Sequence, residues 1–185
     1  MKLFSLIAFV LIVIAQWFVP TSIILKKEEI LKNGKAFKFK TEPIDPSNPF
    51  EGKYISLKFQ QDTFSLNKEL EKLSNGDEIF VVLKQENGYA VISQVLVSKP
   101  KGNIDFVKAS LDYIENYENN KRIHINYTFN KFFMEEYKAP KAEVLYNKAS
   151  QKNKNNCYAL VYTKDGSAVV SDVLVNDTSI SKLVK

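Results

Sequence analysis

The feature that most constrains the fold is an uncharged apolar stretch at the amino terminus. Residues 3–25, LFSLIAFVLIVIAQWFVPTSIIL, contain no charged side chain, and Lys2 and the Lys26–Lys27 pair flank them. As a helix rising about 1.5 Å per residue, this stretch would span roughly 34 Å, slightly more than the hydrocarbon core of a bilayer. The sequence therefore predicts a transmembrane helix within residues 1–27 and a separate domain over residues 28–185.

A cleaved signal peptide is the alternative interpretation of this stretch. Val13 and Ala15 form a V-x-A cleavage box. The apolar run continues past that box to Leu25, which favours an anchor, and Trp17 suits the interfacial end of a span. The flanking lysines favour neither orientation under the positive-inside rule. Because a short tail before the span is the usual signal-anchor arrangement, we expect the domain to lie outside the cytoplasm.

Charge and composition exclude several classes of protein. From Lys26 onward the chain keeps all 21 acidic residues and 25 of its 26 basic residues, a net charge of 25 − 21 = +4, and the two signs are interspersed. A nucleic-acid surface requires a basic stripe with exposed aromatics, so we expect no nucleic-acid partner. Cys157 is the only cysteine, which excludes an internal disulfide and a cysteine metal cluster. We expect no cofactor.

Two similar segments point to an internal repeat. NGYAVISQVLV (87–97) aligns with DGSAVVSDVLV (165–175) at an offset of 165 − 87 = 78 residues, and seven of the eleven positions are identical. Each segment opens on Asn-Gly or Asp-Gly, the preferred dipeptides of a type I′ turn, and an apolar strand precedes each one. The sequence therefore predicts two β-hairpins in equivalent positions.

The segments before the hairpins extend the comparison to two halves, 35–98 and 103–176. Each half contains two extended stretches and then a helical one: LNKELEKLS with Ser65 as its cap, and KAEVLYNKASQ with Pro140 in its first turn. We expect a transmembrane helix followed by an α+β domain, mainly antiparallel, with two similar strand-loop-strand-helix-hairpin halves. The two hairpins and their preceding helices should superpose.

The stretch TEPIDPSNPFEGKYISLKF, residues 41–59, changes from a proline-rich segment into an alternating strand. Proline lacks an amide donor and fixes φ, so three prolines within 43–49 predict a rigid surface crossover rather than a central strand. We expect Gly52 to adopt a conformation there that a β-carbon disfavours. Beyond it, alternation places three apolar side chains towards the core, namely Ile55, Leu57 and Phe59.

Two interpretations of the crossover remain open. It is either a stiff loop or a preformed surface for a partner, since loops on rigid scaffolds often carry recognition. Asp45 lies between Pro43 and Pro46, where its carboxylate can accept backbone amides or face outward. We expect that the main role of Asp45 is to fix the conformation of the crossover.

The same stretch resembles the signature of the GDYXXLXY family, which reads P-x-D-P-x-x-x-x-x-G-D-Y-x-x-L-x-Y. Lys53 replaces the usual acid of that signature, and Phe59 replaces its second tyrosine. A later block, YTFNKFFMEE (127–136), resembles the family's Y-G-x-x-x-Y-F-V-P-E and matches it at Tyr127, Phe133 and Glu136. The first block matches at six positions: Pro43, Asp45, Pro46, Gly52, Tyr54 and Leu57.

The resemblance implies a bacterial envelope protein with one amino-terminal span in the inner membrane, often encoded beside a polytopic membrane protein of unknown function. It supplies no catalytic residue, and Lys53 argues against an essential acid at that position. The resemblance makes a polytopic membrane protein the expected partner. The residues expected to take part in the family's motifs or in interaction are Pro43, Asp45, Pro46, Gly52, Tyr54, Leu57, Phe133 and Glu136.

Catalytic side chains are few in this sequence. His124 is the only histidine, and alternation in RIHINYTF places it on the strand face opposite to Ile123 and Ile125. Cys157 is expected to be a buried structural thiol, and one glutamate of the Glu135–Glu136 pair is expected to flank the following helix. We therefore favour a non-enzymatic membrane-tethered accessory protein. A small exported hydrolase that uses Asp45 with Glu136 or His124 is the alternative.

Overall fold

The computed structural model describes residues 2–43, 54–117, 120–152 and 157–184. The chain begins with a long helix, α1 (Lys2–Asn33), which contains the predicted span and continues beyond it. Among the described residues, α1 is the one helix that is long and apolar enough to cross a membrane, and none of its most apolar segment is buried against the domain. Its last turns, in contrast, contact the β domain, where Ile30 is buried.

The β domain consists of antiparallel sheets. The first five-stranded sheet contains, in spatial order, β12 (Thr178–Ser179), β11 (Ser167–Val175), β10 (Cys157–Lys164), β1 (Lys35–Glu42) and β3 (Lys58–Phe59). The second contains β4 (Thr63–Ser65), β8 (Asn120–Tyr127), β7 (Phe106–Tyr117), β5 (Glu78–Glu86) and β6 (Tyr89–Leu96). A two-stranded sheet pairs β2 (Tyr54–Ser56) with β9 (Lys131–Phe133). The expected mainly antiparallel domain is confirmed.

Three short or amphipathic helical elements complete the described fold. A single 3₁₀ turn covers Leu70–Lys72, α2 covers Ala139–Lys152, and α3 covers Ile180–Leu183. Pro140 lies in the first turn of α2, as predicted, because its missing amide donor costs nothing where the helix has no acceptor for it.

Both large sheets pack around one apolar core. In β1 the alternation KAFKFKTE buries Phe37, Phe39 and Thr41. On the opposite face of the strand, the ammonium group of Lys40 lies 4.5 Å from the ring centroid of Tyr89. Side chains from the second sheet, including those on β5 and β7, join the same buried cluster. The domain therefore depends on contacts between the two sheets for its stability.

Both predicted hairpins are confirmed. The turn residues Asn87 and Gly88 have φ values of 50° and 81°, and Asp165 and Gly166 have 52° and 84°. Glu86 pairs with Tyr89 across the first turn, and Lys164 pairs with Ser167 across the second. The register shifts between residues 82 and 83 in the first hairpin and between 160 and 161 in the second, so the irregularities also lie 160 − 82 = 78 residues apart.

The predicted helix in the first half is wrong. The segment LNKELEKLS forms only the 3₁₀ turn, and Ser65 lies in β4 instead of capping a helix. The side-chain oxygen of Asn67 accepts hydrogen bonds from the backbone amides of Glu69, at 3.0 Å, and Leu70, at 2.9 Å. These two local hydrogen bonds compete with the hydrogen bonds of a longer helix. They tighten the chain into one turn, in which Leu70 is buried. The two halves therefore match at their hairpins and differ in the element that precedes them.

The first long strand of each half pairs with the hairpin of the other half. β1 pairs antiparallel with β10, from Lys35 opposite Thr163 to Lys40 opposite Tyr158. β7 pairs antiparallel with β5 of the first half. Because the strands are exchanged in this way, each large sheet contains strands from both halves of the chain.

Candidate functional site

The two sequence blocks that resemble the family signature meet in the two-stranded sheet of β2 and β9. Tyr54 lies opposite Phe133, and Ile55 lies opposite Phe132. The backbone amide of Leu57 donates to the carbonyl oxygen of Asn130 at 2.8 Å. Segments far apart in sequence thus form one local unit, in which alternating side chains point to opposite faces.

One face of this unit belongs to the core. Ile55 and Leu57 are buried on it, and so are Phe132 and Tyr127. The hydroxyl group of Tyr127 donates to the backbone oxygen of Gln61 at 2.6 Å, and burial raises the pKa of Tyr127 far above its usual value. Tyr127 therefore remains a neutral donor, and its role here is structural. The expected inward direction of Ile55, Leu57 and Phe59 is confirmed.

The other face presents aromatic rings and a cation to solvent. We call this surface, formed by Tyr54, Lys131, Phe133 and the nearby Tyr137, the β2–β9 face. The rings of Tyr54 and Phe133 meet edge to face, with 5.4 Å between their centroids. The ammonium group of Lys131 donates to the hydroxyl of Tyr54 at 2.8 Å and lies 4.1 Å from that ring's centroid. Phe133 is 66% exposed and Tyr137 is 70% exposed.

The acidic residues Glu135 and Glu136 lie between β9 and the start of α2. The backbone oxygen of Glu135 accepts from the amides of Lys138 at 2.9 Å and Ala139 at 3.1 Å. The Tyr137 hydroxyl and the Lys138 ammonium beside Glu135 hold the pKa of its carboxyl below its usual range. Glu135 is therefore an ionised group that flanks the helix, as expected for one member of the pair. Glu136 is exposed next to it.

The proline crossover joins the end of β1 to the start of β2. Pro43 is half-buried directly after β1, and Tyr54 begins β2. Four positions that the sequence singled out, Asp45, Pro46, Gly52 and Lys53, lie outside the described residues. The expectations for Asp45 and Gly52 therefore remain predictions.

His124 lies in β8, and the carboxylate beside it belongs to Glu115, a residue that the hydrolase alternative did not include. Its Nε2 atom lies 3.2 Å from Oε2 of Glu115, and its ring stacks on Tyr113 with a centroid separation of 4.0 Å. Thr63 of β4 pairs with His124, and the half-buried Asp62 directly precedes Thr63. Burial raises the pKa of the Asp62 carboxyl. Neither His124 nor Glu136 lines the cavity between α1 and the β domain that is described below. The structure thus gives His124 the neighbours Glu115 and Tyr113, which sequence reasoning missed.

Cys157 is buried at the start of β10, as expected. Its backbone oxygen accepts a hydrogen bond from the hydroxyl of Thr41 at 3.1 Å. Burial raises the pKa of the Cys157 thiol, which disfavours the thiolate that a nucleophile requires. The contacts of this cysteine are those of a packed core residue.

Of the residues that form the β2–β9 face, sequence reasoning identified Tyr54 and Phe133 but missed Lys131 and Tyr137. Lys131 follows from the alternation of KFF once that segment is recognised as a strand. The pairing of β2 with β9 has no local signal, because 133 − 54 = 79 residues separate the paired Tyr54 and Phe133. Tyr137 is included because it is exposed and follows Phe133 by four residues.

The apolar α1 helix, followed by a mainly antiparallel β domain, fits a membrane-anchored class of protein. A family model described as GDYXXLXY protein matches residues 16–173, which include the end of α1, both family-like blocks, the first hairpin and all but the last two residues of the second. The chain therefore belongs to the GDYXXLXY family. No curated protein and no solved structure matches it at a significant level.

Proposed function

We propose that this protein is a non-enzymatic accessory protein of the bacterial inner membrane. Its domain lies outside the cytoplasm and binds a polytopic membrane protein through the β2–β9 face. The observation that carries the proposal is the exposure of Phe133 on a sheet whose other face is buried, together with the exposure of Tyr137 four residues further along the chain. Exposed aromatic rings on a rigid support are typical of the residues that dominate binding energy at protein interfaces.

The contacts within the β2–β9 face favour binding of a partner over catalysis. Tyr54 is held by Phe133 on one side and by Lys131 on the other, so its ring is ordered before a partner arrives. Ordering in advance lowers the conformational entropy lost on binding. The same surface combines the cations Lys131 and Lys138 with the carboxylate of Glu135, which is suited to a partner that carries charges of both signs.

The membrane anchor limits the partners that the domain can reach. β1 begins next to the end of α1, and its eight residues cover roughly 25 Å at about 3.3 Å per residue before the crossover to β2. The end of β1 therefore lies up to roughly 25 Å from the point where the chain leaves α1, and the β2–β9 face lies on the segments that follow. A membrane protein with a region that projects this far from the bilayer fits the geometry.

A photocrosslinking side chain at Phe133 or Tyr137 is expected to capture one membrane protein in native membranes. The same side chain at Tyr113 is the matched control, because this tyrosine is 45% exposed and lies on β7. Phe133→Ala and Tyr137→Ala should each reduce the captured or co-purified partner about tenfold or more, the effect of losing an interface anchor. Thermal unfolding should change little, since both rings are exposed.

Two results would contradict this assignment of the binding surface. One is equal crosslinking from positions 113, 133 and 137, which would indicate random collisions in the membrane. The other is an unchanged yield of partner from the Phe133→Ala and Tyr137→Ala proteins. Capture of a soluble protein instead would reject the polytopic partner but keep the surface.

Alkaline phosphatase fused to the carboxyl terminus is expected to be active, because the proposed signal-anchor arrangement exports everything after α1. Phosphatase requires an oxidising compartment outside the cytoplasm for its disulfides. A fusion ahead of Lys2 provides the control and should be inactive. An inactive carboxyl-terminal fusion, together with an active cytoplasmic reporter at the same position, would reverse the orientation.

We also propose that the two hairpin regions derive from one duplicated unit. The identical positions of the turn and of the register shift, and the reciprocal pairing of β1 with β10 and β7 with β5, support this origin. The 3₁₀ turn in the first half and the 14-residue α2 in the second limit it, since these elements differ in kind. The duplication proposed here is therefore restricted to the strands.

A further inference from the structure

A cavity of about 520 Å³ lies between the end of α1 and the β domain. From α1 it is lined by Ile23, Lys26, Lys27 and Ile30, and the strands and turns of the domain line its other side. We call this space the junction crevice. Its volume is within the range of sites that hold small molecules or cofactors.

The walls of the junction crevice are fixed by contacts between α1 and the hairpin of β10 and β11. Ile30 is buried in this contact, and the ammonium group of Lys164 donates to the carboxylate of Glu29 at 2.5 Å. A β-carbon at Gly34 would lie 2.3 Å from the carbonyl oxygen of Ile30 and 3.0 Å from that of Thr163, so only glycine lets the chain leave α1 so close to β10. The crevice is thus a built feature of the fold.

The position of the crevice along α1 places it at the membrane boundary. The helix carries no charge from Leu3 to Leu25, and Lys26 and Lys27 are its first charges beyond that stretch. Lysines at the end of a span extend their ammonium groups to the headgroup region. Ile23 lies within the apolar stretch and also lines the crevice. One end of the crevice therefore adjoins lipid chains and the other adjoins headgroups.

The charges of the crevice favour an anion. Three lysines and one glutamate line it, a balance of 3 − 1 = +2, and the ammonium group of Lys108 is paired with Glu78 at 3.1 Å. Neither Lys26 nor Lys27 has an ion-pair partner within the part of the chain that the structure describes. Ser110 and Thr128 line the same space, and hydroxyl side chains of this kind can donate to phosphate oxygens.

We propose that the junction crevice binds the headgroup of an anionic phospholipid. The phosphate lies with Lys26 and Lys27, and the upper part of an acyl chain lies along Ile23 and Ile30. A ligand with an anionic and an apolar end matches the two ends of the crevice, and the bilayer supplies such a molecule at high local concentration. The proposal depends on α1 crossing a membrane. It does not depend on the partner or on the side of the membrane that the domain faces.

Native mass spectrometry of the full chain, released from nanodiscs of phosphatidylcholine and phosphatidylglycerol, tests the proposal. The protein should retain phosphatidylglycerol in preference to phosphatidylcholine. The K26Q/K27Q variant should lose this retention about 30-fold, the effect of two lysines near an anionic surface. K148Q/K182Q removes the same charge from α2 and α3 and should behave like the unmodified protein.

A second variant separates a defined site from diffuse attraction to the membrane surface. Ala168 lines the crevice, and Ala168→Leu fills part of it without changing any charge. If the lipid occupies the crevice, this variant should also retain less phosphatidylglycerol, with thermal unfolding measured in parallel to establish that it folds. Loss of lipid from K26Q/K27Q but not from folded Ala168→Leu would overturn the site, and so would full retention by K26Q/K27Q.

The source of the phosphate is tested by competition. Glycerol phosphate lacks acyl chains, so millimolar amounts should leave the retained phosphatidylglycerol in place. Displacement of the lipid by glycerol phosphate at these concentrations would show that the crevice recognises a soluble phosphate, and would overturn the lipid assignment. Equal retention of the two lipids would overturn it as well.

Discussion

Gly166→Ala is expected to lower the free energy of unfolding by about 2–5 kcal/mol. Gly166 has a φ of 84°, a conformation that L side chains rarely adopt, so any β-carbon there is strained. The added carbon would also lie 2.5 Å from Cε2 of Phe106 and 3.1 Å from Cγ of Lys108. Since the amide of Lys108 donates to the oxygen of Gly166 at 2.8 Å, the turn cannot move away without losing this bond to β7.

Gly88→Ala is the matched control for that substitution. Gly88 occupies the same position in the other hairpin with a φ of 81°, but nothing lies within 4 Å of the place that its β-carbon would take. This variant should therefore show only the conformational cost, about 1–2 kcal/mol. Urea unfolding of both variants measures the difference. Equal losses would mean that the contact between the turn and Phe106 adds nothing to stability.

Phe39→Ala is expected to cost about 3–5 kcal/mol, the range for truncating a buried phenylalanine. Phe39 is fully buried, and its ring centroid lies 5.3 Å from that of Phe59 and 5.2 Å from that of Phe129. This cluster joins β1 to the segment after β8, so the cavity left by alanine would open at the contact between elements distant in sequence. The change is measured by urea or thermal unfolding of the β domain in the intact chain.

Phe133→Ala is the same chemical change at an exposed position and should alter the free energy of unfolding by less than about 0.5 kcal/mol. Comparing Phe39→Ala with Phe133→Ala therefore separates aromatic residues that stabilise the core of this protein from those that are exposed for binding. A large loss of stability from Phe133→Ala would mean that the β2–β9 face supports the fold, and the binding test on that face would then have to rely on crosslinking alone.

The two proposed sites lie at opposite ends of β1. The junction crevice adjoins the start of this strand, where Lys35 pairs with Thr163, and the β2–β9 face follows its end, where Glu42 pairs with Lys58. The helix α1 contacts the hairpin of β10 and β11, and β10 also pairs with β1.

The sequence alone determined the elements whose cause is local. The uncharged stretch before Lys26 predicts the long apolar helix, since the run of apolar residues needs no distant contact to be recognised. Asn87–Gly88 and Asp165–Gly166 determined the hairpins, because positive φ at both positions is a property of those residues. Alternation likewise placed Ile55 on the core side.

Only the tertiary structure decided how these elements combine. The pairing of β2 with β9, which brings Tyr54 to Phe133, and the exchange of β1 and β7 between the hairpins join segments far apart in the chain. At Leu70, burial of the side chain in the shared core acts together with the local Asn67 hydrogen bonds, and a 3₁₀ turn forms instead of the predicted helix. Local sequence biases dihedral angles by about 1 kcal/mol or less per residue. Burial of a single large apolar side chain contributes about 2–3 kcal/mol, so the contacts between sheets prevail wherever the two preferences differ.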